Sequence, residues 1–489
     1  MINIGTRREC FFDDFLIDTQ NTTSFRQIHN PVPKEIVMVF DEEWEGDSAC
    51  YFSIIREKDF YRLYYIAQDS NHRDEPDRCI QRACYAESKD GINWIKPKLG
   101  LREFRGSKEN NIVMDDSDLV FMDNMYFFRD ENPDCDSDKK YKAIGMDLHG
   151  KCLCCFNSED GLNFVRGDDI TDMGAFDSMN IAFWDKDAKL YRCYIRGFHV
   201  KGDFEHNDEF DQYPLLISDA ERGKRIRDIR YIESKDFKTW TEPVHLNFGE
   251  NKPEVQLYTN CITPYPRAPH IFVGFPTRYN VRQWSPCFDN LCGLERRIYH
   301  RDNISKCTAT TLTDSIFICS HNGTEFTRYD EAFMRPGAEH KINWIYGSCY
   351  PAAGFVETAS ATRPDCDNEL SMYCGDGNYS VVPAELTRYT LRLDGFASMH
   401  AGENEEILTT KPFVFEGSKL FANISTSAWG YMYFELTCGG KTVKSCEMFG
   451  DSVNKQICFE DDISQFAGKE TILTIRMRDA DIYSFKFEK

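Results

Sequence analysis

The chain repeats one short phrase four times, and every copy carries the residues of a tight turn. The copies are ESKDGINW (87–94), NSEDGLNF (157–164), ESKDFKTW (233–240) and CSHNGTEF (319–326). In each copy an aromatic residue follows the Asp or Asn by four positions. Asp-Gly or Asn-Gly between two short apolar runs predicts a β-hairpin, because both residues tolerate positive φ. The third copy has Phe237 in the place of Gly, so we expect its turn to differ.

A fifth, weaker copy completes a series of regular intervals. YTLRLDGFASM (389–399) keeps Asp394 and Gly395, so the turn residues stand at 90, 160, 236, 322 and 394, separated by 70, 76, 86 and 72 residues. Intervals this long and regular indicate a repeat architecture. Each interval also holds two further strand-like runs, so the sequence predicts five four-stranded sheets, which is an all-β fold with a five-bladed β-propeller. The alternative is a large β-sandwich with coincidental hairpins, but a sandwich does not require equal intervals.

The pattern changes after residue 400. The sequence from there on alternates apolar and polar residues between Gly turns and lacks the repeated phrase, which predicts a separate β-sandwich. The boundary is expected in the polar stretch HAGENEE (400–406), giving a propeller over 1–400 and a sandwich over 401–489. The strand-like N-terminal run ECFFDDFLID (9–18) is expected either to complete the ring or to bridge to the sandwich.

Charge and composition narrow the classes of partner. The net charge of −22 and the pI near 5.0 disfavour nucleic acid and membrane as partners, because both are anionic. No apolar signal region and no run of 18 apolar residues is visible, so we expect a cytoplasmic protein. In that compartment the 20 cysteines are interpreted as reduced thiols. The cluster Cys152, Cys154 and Cys155 is interpreted as structural and not as a zinc or redox site.

The loops that enter the first strand of each blade are expected to form the mouth of a central funnel. Carboxylates from separate blades that converge there would suit glycoside hydrolysis, which needs one carboxylic acid and one carboxylate base or nucleophile. Solvated loop charges are the alternative for each residue, since the chain has 80 acidic residues. The candidate catalytic residues are Glu45, Asp47, Asp130, Asp177 and Glu254. The candidate sugar-binding residues are Tyr258, Asn260, Arg196, Arg278, Glu339 and Trp344.

Motifs of several other chemistries are missing. The sequence contains no G-x-S-x-G, H-E-x-x-H, Walker A or G-x-G-x-x-G motif. The acidic run DENPDCDSD (130–138) lacks the Gly and the distal Glu of an EF-hand loop. We therefore predict neither a metal site nor a cofactor.

The chain contains the phrases FRDENPDC, FDSMNIAFW, LYTNCITPYPRAPHIFVGFPTR and RYTLRLDGF. With the repeated hairpins, they resemble the five-bladed propeller glycoside hydrolases, the superfamily of families 32, 43 and 68, and most of all a less-characterised branch of it. The resemblance covers nearly the whole chain. It implies that Asp177 modulates the acid or stabilises charge, that Glu254 is the general acid and that Asp47 or Glu45 is the base or nucleophile, with Asp14 as an outside candidate. The Trp-Met-Asn-Asp-Pro and Glu-Cys motifs of family 32 are missing, and Glu131 replaces the Pro of its Arg-Asp-Pro motif.

The function expected from these observations is an exo-acting glycoside hydrolase for a small oligosaccharide or glycoside. Furanosides, fructosyl or arabinosyl, are favoured by the resemblance alone. Two alternatives stay open: a glycoside phosphorylase, with Arg196, Arg278 and Arg282 as candidate phosphate ligands, and a carbohydrate-binding protein without catalysis. The expected partner is a small carbohydrate, with a possible homo-oligomer through the β-sandwich.

Overall fold

The computed structural model describes residues 2–69, 81–118, 120–200, 225–250, 252–304, 309–378 and 382–489, although nothing is described of the side chains of 303 and 304. Four short strands precede the first blade. They are β1 (Ile2–Gly5), β2 (Glu9–Cys10), β3 (Phe25–Ile28) and β4 (Val32–Phe40).

Five sheets of four or five strands follow one another along the chain, which confirms the predicted five-bladed propeller. Blade 1 contains β5 (Ser48–Arg56), β6 (Tyr61–Gln68), β7 (Arg82–Ser88), β8 (Trp94–Ile95) and β9 (Ile112–Met114). Blade 2 contains β10 (Val120–Arg129), β11 (Tyr141–Asp147), β12 (Leu153–Ser158) and β13 (Val165–Thr171). Blade 3 contains β14 (Ile181–Asp185), β15 (Leu190–Val200), β16 (Arg225–Ser234) and β17 (Val244–His245).

Blades 4 and 5 depart slightly from this plan. Blade 4 contains β18 (Thr263–Tyr265), β19 (Ala268–Gly274), β20 (Thr277–Val281), β21 (Thr311–Ser320) and β22 (Thr327–Met334), with β19 and β20 both paired to β21. Blade 5 contains β23 (Tyr350–Pro351), β24 (Val356–Thr358), β25 (Glu369–Asp376) and β26 (Ala384–Arg392). Its outer strand is β4, which pairs antiparallel with β26. The ring is therefore closed by a strand from the N-terminal end of the chain.

The repeated phrase forms the outer hairpin of blades 1 to 4, as predicted. In blade 2, Asp160 Oδ1 accepts the backbone N–H groups of Leu162 and Asn163 at 2.8 and 2.9 Å, and Gly161 N–H donates to Ser158 Oγ at 2.9 Å. A tyrosine of the preceding blade then holds the turn, because Tyr64 Oη donates to the Gly161 carbonyl at 2.7 Å. The same tyrosine-to-glycine bond joins blade 5 to blade 1 and blade 3 to blade 4. Each turn therefore fixes the packing of one blade on the next.

The third copy keeps the turn but not the glycine. Phe237 adopts a φ of 60°, in the left-handed region that Gly occupies in the other copies. Its ring lies 6.0 Å from that of Phe128 in blade 2 and 4.9 Å from that of Tyr191. Aromatic packing therefore replaces the tyrosine-to-glycine bond at this blade junction.

A large sheet follows the propeller and is consistent with the predicted β-sandwich. The C-terminal strands of this sheet are β27 (Ala397–Ala401), β28 (Glu406–Thr409), β30 (Lys419–Cys438), β31 (Lys441–Lys444), β32 (Asp451–Gln456) and β33 (Ile472–Glu488), whereas β29 (Phe413–Phe415) belongs to a separate two-stranded sheet. Strands β2, β27 and β28 pair with β33, β3 pairs with β27, and β1 pairs with β29. The N-terminal segment thus bridges to the C-terminal sheet, and the division into 1–400 and 401–489 stays a prediction.

Helices are few and short in the described residues. The α-helices are α1 (Pro286–Asn290) and α2 (Leu294–Tyr299), both in the insertion between β20 and β21 of blade 4. Further helical turns are formed by Asp116–Asp118, Ser137–Lys139, His300–Ile304 and Ile463–Phe466. No helix in the described part of the chain is long and apolar enough to cross a membrane. The cysteines of that part form no disulfide.

Candidate functional site

Four tyrosines mark the place where inner strands of three blades begin. The hydroxyl of Tyr258, ahead of β18, lies 3.2 Å from that of Tyr51 in β5 and 3.1 Å from that of Tyr346. The ring of Tyr350, at the start of β23, lies 5.8 Å from the Tyr258 ring. Blades 1, 4 and 5 thus meet at one point near the propeller axis. We call this region the mouth.

The backbone around the mouth is strained. Tyr51, Cys261 and Cys349 adopt φ values of 53°, 46° and 60°, which side chains other than Gly rarely adopt. The pairing register of β5 shifts between Cys50 and Ser53, and that of β10 shifts in the corresponding part of blade 2. Strained residues and β-bulges concentrate at functional sites, where they redirect side chains. The mouth therefore has the backbone features of a site.

Asp177 enters the mouth from blade 3, just ahead of β14. Its Oδ2 lies 3.5 Å from Nη2 of Arg196, a guanidinium whose Nε donates to the Ala175 carbonyl at 2.8 Å. The neighbouring Ser178 Oγ donates to the Tyr258 carbonyl at 2.5 Å. The Arg196 guanidinium also lies 5.6 Å from the Tyr258 ring. The structure therefore brings together three of the predicted residues, Asp177, Arg196 and Tyr258.

Asp123 enters from blade 2, on the irregular part of β10. Burial raises the pKa of the Tyr258 hydroxyl well above its ordinary value, and the negative charges of Asp177 and Asp123 add to this. Burial likewise raises the pKa of Tyr51, with Tyr258 and Asp123 as further causes. Two carboxylates from different blades thus lie near the same buried hydroxyl.

Asp47 lies directly ahead of β5 and is buried. Its neighbour is Arg296 of α2, whose pKa is lowered to about 9 by burial, while the charges of Asp47 and Asp376 oppose this lowering. Burial also raises the pKa of Asp376, at the end of β25, to about 7. The insertion of blade 4 thus places a cation between two acids of blades 1 and 5.

Glu254 lies in a neighbouring groove of about 370 Å³ between blades 3 and 4. Its Oε1 lies 3.4 Å from Nε2 of His199, whose Nδ1 lies 2.9 Å from Asp228 Oδ2. Arg227 lines the same groove, and its guanidinium lies 5.6 Å from the Tyr258 ring. The groove therefore opens beside the mouth, with Glu254 at its rim.

Two further candidate acids lie elsewhere. Glu45 is enclosed in blade 1, where Lys96 Nζ donates to its Oε2 at 2.6 Å and the Tyr65 hydroxyl donates to its Oε1. Asp130 follows the far end of β10 and accepts Lys142 Nζ at 2.6 Å and the Tyr191 hydroxyl at 2.8 Å. That end of the inner strands surrounds a cavity of about 540 Å³ on the opposite face. Both acids are buried in salt bridges, so we leave them out of the proposed site.

Two candidate binding residues have structural partners. The Arg278 guanidinium donates two hydrogen bonds of 2.7 Å to Asp314 within blade 4. The Asn260 amide is buried and donates to the Tyr194 carbonyl at 3.3 Å. The other two are in the segment that leads to β23: Trp344 donates to the Gly337 carbonyl at 2.9 Å, and Glu339 is exposed.

Several groups at the mouth were missed by sequence reasoning. They are Tyr51, Tyr346, Arg227, Arg296 and Asp376. Tyr51 and Asp376 are in runs that are typical of plain strands, so their residue types gave no sign of a site. Asp123 belongs to the acidic run MDDSDLVFMDNM (114–125), and the run itself is the signal that points to it.

Known proteins resemble this chain only distantly. No family model matches it, and no curated protein matches it. A family 32 β-fructofuranosidase from Bombyx mori is similar over 97% of this chain and 95% of its own, with 9% identity and a TM-score of 0.41. A family 43 arabinoxylan arabinofuranohydrolase from Bacillus subtilis is similar over 94% and 99%, with 10% identity and a TM-score of 0.39. A glycosyl hydrolase from Bacteroides ovatus is similar over 75% and 94%, with 13% identity and a TM-score of 0.42. Likenesses this distant say nothing about the substrate or mechanism of this chain.

Proposed function

We propose that the protein is a glycoside hydrolase that removes a terminal sugar from a small oligosaccharide or glycoside. One observation carries the proposal: carboxylates from separate blades, among them Asp177 of blade 3 and Asp123 of blade 2, lie near the buried hydroxyl of Tyr258 at the propeller axis. Glycoside hydrolysis requires two carboxyl groups on either side of one scissile bond. Aromatic rings beside those carboxyl groups offer flat surfaces for the apolar faces of a sugar.

We assign roles from the charges around each acid. Asp177 faces the guanidinium of Arg196, so it suits the stabilisation of a positively charged, oxocarbenium-like transition state better than proton donation. Asp47, beside Arg296, is the proposed base or nucleophile. Glu254 and Asp123 are the proposed candidates for the general acid.

The test is hydrolysis of nitrophenyl furanosides and pyranosides, with fructosyl and arabinosyl furanosides first because of the sequence resemblance. Asp47→Asn and Asp177→Asn are each expected to lower kcat by about 10²–10⁴-fold on every active substrate. A general acid matters most when the leaving group is poor, so its loss is expected to harm alkyl glycosides far more than dinitrophenyl glycosides. Applied to Glu254→Gln and Asp123→Asn, that comparison identifies the acid.

Asp172→Asn is the matched control, because Asp172 is exposed and five residues from Asp177. It is expected to leave kcat and KM unchanged. Full activity in Asp177→Asn would contradict the proposed site. Sugar binding without turnover in the wild type would favour the non-catalytic alternative.

A glycoside phosphorylase is the second candidate, and one cluster favours it. The guanidinium groups of Arg196, Arg225 and Arg227 lie 5.0, 5.4 and 5.8 Å from the ring of Phe198. Three arginines around one ring, one of them beside Asp177, make a cationic region in a protein of net negative charge, and arginine is well suited to bind phosphate. Turnover that requires phosphate and releases a sugar 1-phosphate would establish this candidate. Turnover that does not depend on phosphate would support the hydrolase instead.

A further inference from the structure

A cluster of imidazole and carboxylate groups lies outside the mouth, where blade 4 meets the N-terminal segment. Glu9, His270 and His321 each offer one ligand atom, and these atoms lie within 4.8 Å of one another. Glu9 Oε2 lies 3.3 Å from His270 Nε2, and Asp13 Oδ1 lies 3.3 Å from His321 Nε2. Two atoms bound to the same tetrahedral Zn²⁺ at about 2.0–2.1 Å are about 3.3 Å apart. The Glu9–His270 and Asp13–His321 separations therefore match those of a metal site, whereas the other separations within the trio, up to 4.8 Å, would have to shorten when an ion binds.

Rigid elements hold these groups in place. Glu9 is in β2, which pairs with β33, whereas His270 is in β19 of blade 4. His321 belongs to the repeated turn of blade 4, and its ring stacks on Phe15 with centroids 3.9 Å apart. Asp13 is tied to the same segment, because its Oδ1 accepts the Phe15 N–H at 3.0 Å. Four potential ligands are thus oriented before any ion binds.

Burial shields the groups of the cluster from water. The side chains of Glu9, His270 and His321 are 1%, 8% and 10% exposed. Nε2 of His321 is buried, and its contact with Asp13 Oδ1 is long for a hydrogen bond, at 3.3 Å. A buried polar group that is only weakly satisfied costs free energy, and a bound cation would remove that cost.

Protonated imidazoles are the competing explanation. Glu9 and His270 would then form one ion pair and Asp13 and His321 another, with Arg7 Nε on Glu9 Oε1 at 2.5 Å. This arrangement explains the two short distances. It does not explain why the ligand atoms of Glu9 and His321 also approach each other.

We propose that Glu9, His270 and His321 bind one divalent transition metal ion, with Asp13 as the fourth ligand. Two imidazoles and two carboxylates are a donor set that suits Zn²⁺. The ion would join blade 4 to the N-terminal segment and, through β2 and β33, to the C-terminal sheet. Its role would be structural, since all four protein ligands together close a tetrahedral site. Sequence analysis predicted no metal because these ligands are separated by up to 312 positions and have no motif spacing.

The test uses the full chain, stripped with a chelator and titrated with Zn²⁺ against a chromophoric competitor. One equivalent of Zn²⁺ is expected to bind, and His270→Ala and His321→Ala are each expected to weaken binding at least about tenfold. Co²⁺ in place of Zn²⁺ is expected to give the visible bands of a tetrahedral site without thiolate charge-transfer absorption, which excludes binding by the cysteines. The chelator is expected to lower the Tm of the wild type but not of the variants.

Glu9→Gln keeps the shape of the side chain but removes its charge. This variant tests Zn²⁺ binding if either histidine variant fails to fold. His149→Ala is the matched control, because His149 is exposed in a turn of blade 2. Equal Zn²⁺ affinity in wild type and all ligand variants would overturn the proposal. A thiolate spectrum, or no binding by the stripped wild type, would overturn it as well.

Discussion

The carboxylate of Asp394 accepts a hydrogen bond of 2.8 Å from the hydroxyl of Tyr265. Asp394 is the turn residue of the fifth copy of the repeated phrase, and it is fully buried between blade 4 and the C-terminal sheet. Arg8 Nη1 lies 3.1 Å from its Oδ2, and Arg267 Nε lies 2.8 Å from its Oδ1. Ser484 Oγ of β33 also donates to it at 2.7 Å. The residue that ends the repeat series therefore joins the propeller to the sheet that follows.

Asp394→Asn is expected to destabilise the protein by about 3–5 kcal/mol at pH 7, because the buried charge of Arg8 and the partly buried charge of Arg267 would lose their carboxylate. Although burial alone would raise it, the pKa of Asp394 is lowered to about 2 by those two arginines. A carboxyl with a lowered folded-state pKa stabilises the fold above its unfolded pKa, and this contribution is lost as the pH falls from about 4 to about 2. The difference in the free energy of unfolding between wild type and variant should therefore shrink as the pH falls through that window. Urea unfolding of both proteins at pH 4 and at pH 2 measures this difference.

Asp451→Asn is the control for this prediction, since Asp451 pairs with Arg392 on the surface. Exposed salt bridges contribute about 0–1 kcal/mol to the free energy of unfolding, so the control should lose little stability. An Asp394→Asn variant as stable as this control would contradict the role of the buried network.

The contribution of Asp376 to the free energy of unfolding is expected to depend on pH in the opposite direction to that of Asp394. Burial raises its pKa to about 7, so between its unfolded pKa and pH 7 the folded protein holds a proton that the unfolded chain has lost. The free energy of unfolding should therefore fall as the pH rises through this window. Asp376→Asn cannot ionise and can still accept the Cys349 N–H, so it is expected to be more stable than wild type at pH 8, by up to about 4 kcal/mol. At pH 4 the two should be similar.

Unfolding measured from pH 4 to 8 checks this expectation. Asp365→Asn, at an exposed position, should follow the wild type throughout. Parallel curves for wild type and Asp376→Asn would show that Asp376 does not carry the raised pKa.

The repeated turns allow a matched comparison of two glycines. A Cβ at Gly161 would lie 2.8 Å from the Tyr64 hydroxyl oxygen, at a φ of 77°, whereas Gly249 has a φ of 79° with no atom within 4 Å. Gly249→Ala should cost about 1 kcal/mol, from the backbone alone. Gly161→Ala should cost about 1–3 kcal/mol more, because it also forces Tyr64 away from the turn. Equal losses in urea unfolding would show that the tyrosine-to-glycine contact does not stabilise the packing of the blades.

The parts of the fold that were predictable are those with local chemical signals. The turns at Asp90, Asp160 and Asn322 follow from residues that tolerate positive φ, and their spacing indicates the number of blades. The closing strand β4 has no such signal, because its partner β26 lies about 350 residues later. Long-range pairing of this kind is invisible to a reading of periodicity.

The residues of the candidate site also include some that have a local sequence signal and some that depend on long-range contacts. The position of Asp177 and Tyr258 at the mouth was predictable because each stands just ahead of an apolar inner strand, whereas their roles stay a prediction. Glu45 and Asp47 are two residues apart and look alike in sequence, yet Lys96 encloses the first and only the second lies near Arg296. The choice between them depends on the tertiary contacts of a lysine and an arginine that are distant in sequence.

The proximity of Arg196 to Asp177 predicts coupling between their effects on catalysis. Arg196→Ala should lower kcat by about 10–100-fold, because Asp177 would lose the group that neutralises and orients it. In an Asp177→Asn background the same change should cost almost nothing further, since no carboxylate remains to be oriented. Arg196→Lys should restore part of the activity, as it keeps the positive charge but loses the Nε bond to Ala175. Values of kcat and KM for the four members of the cycle measure the coupling.

The exposed pair Arg166 and Asp169 on blade 2 is the control for this cycle. Removing either member or both should leave kcat unchanged, because this pair is on the outermost strand of its blade, β13, away from the mouth. Independent, multiplicative losses for Arg196 and Asp177 would mean that the arginine acts on the substrate directly. A loss on Arg196→Ala that phosphate concentration relieves would identify it instead as a phosphate ligand, in favour of the phosphorylase.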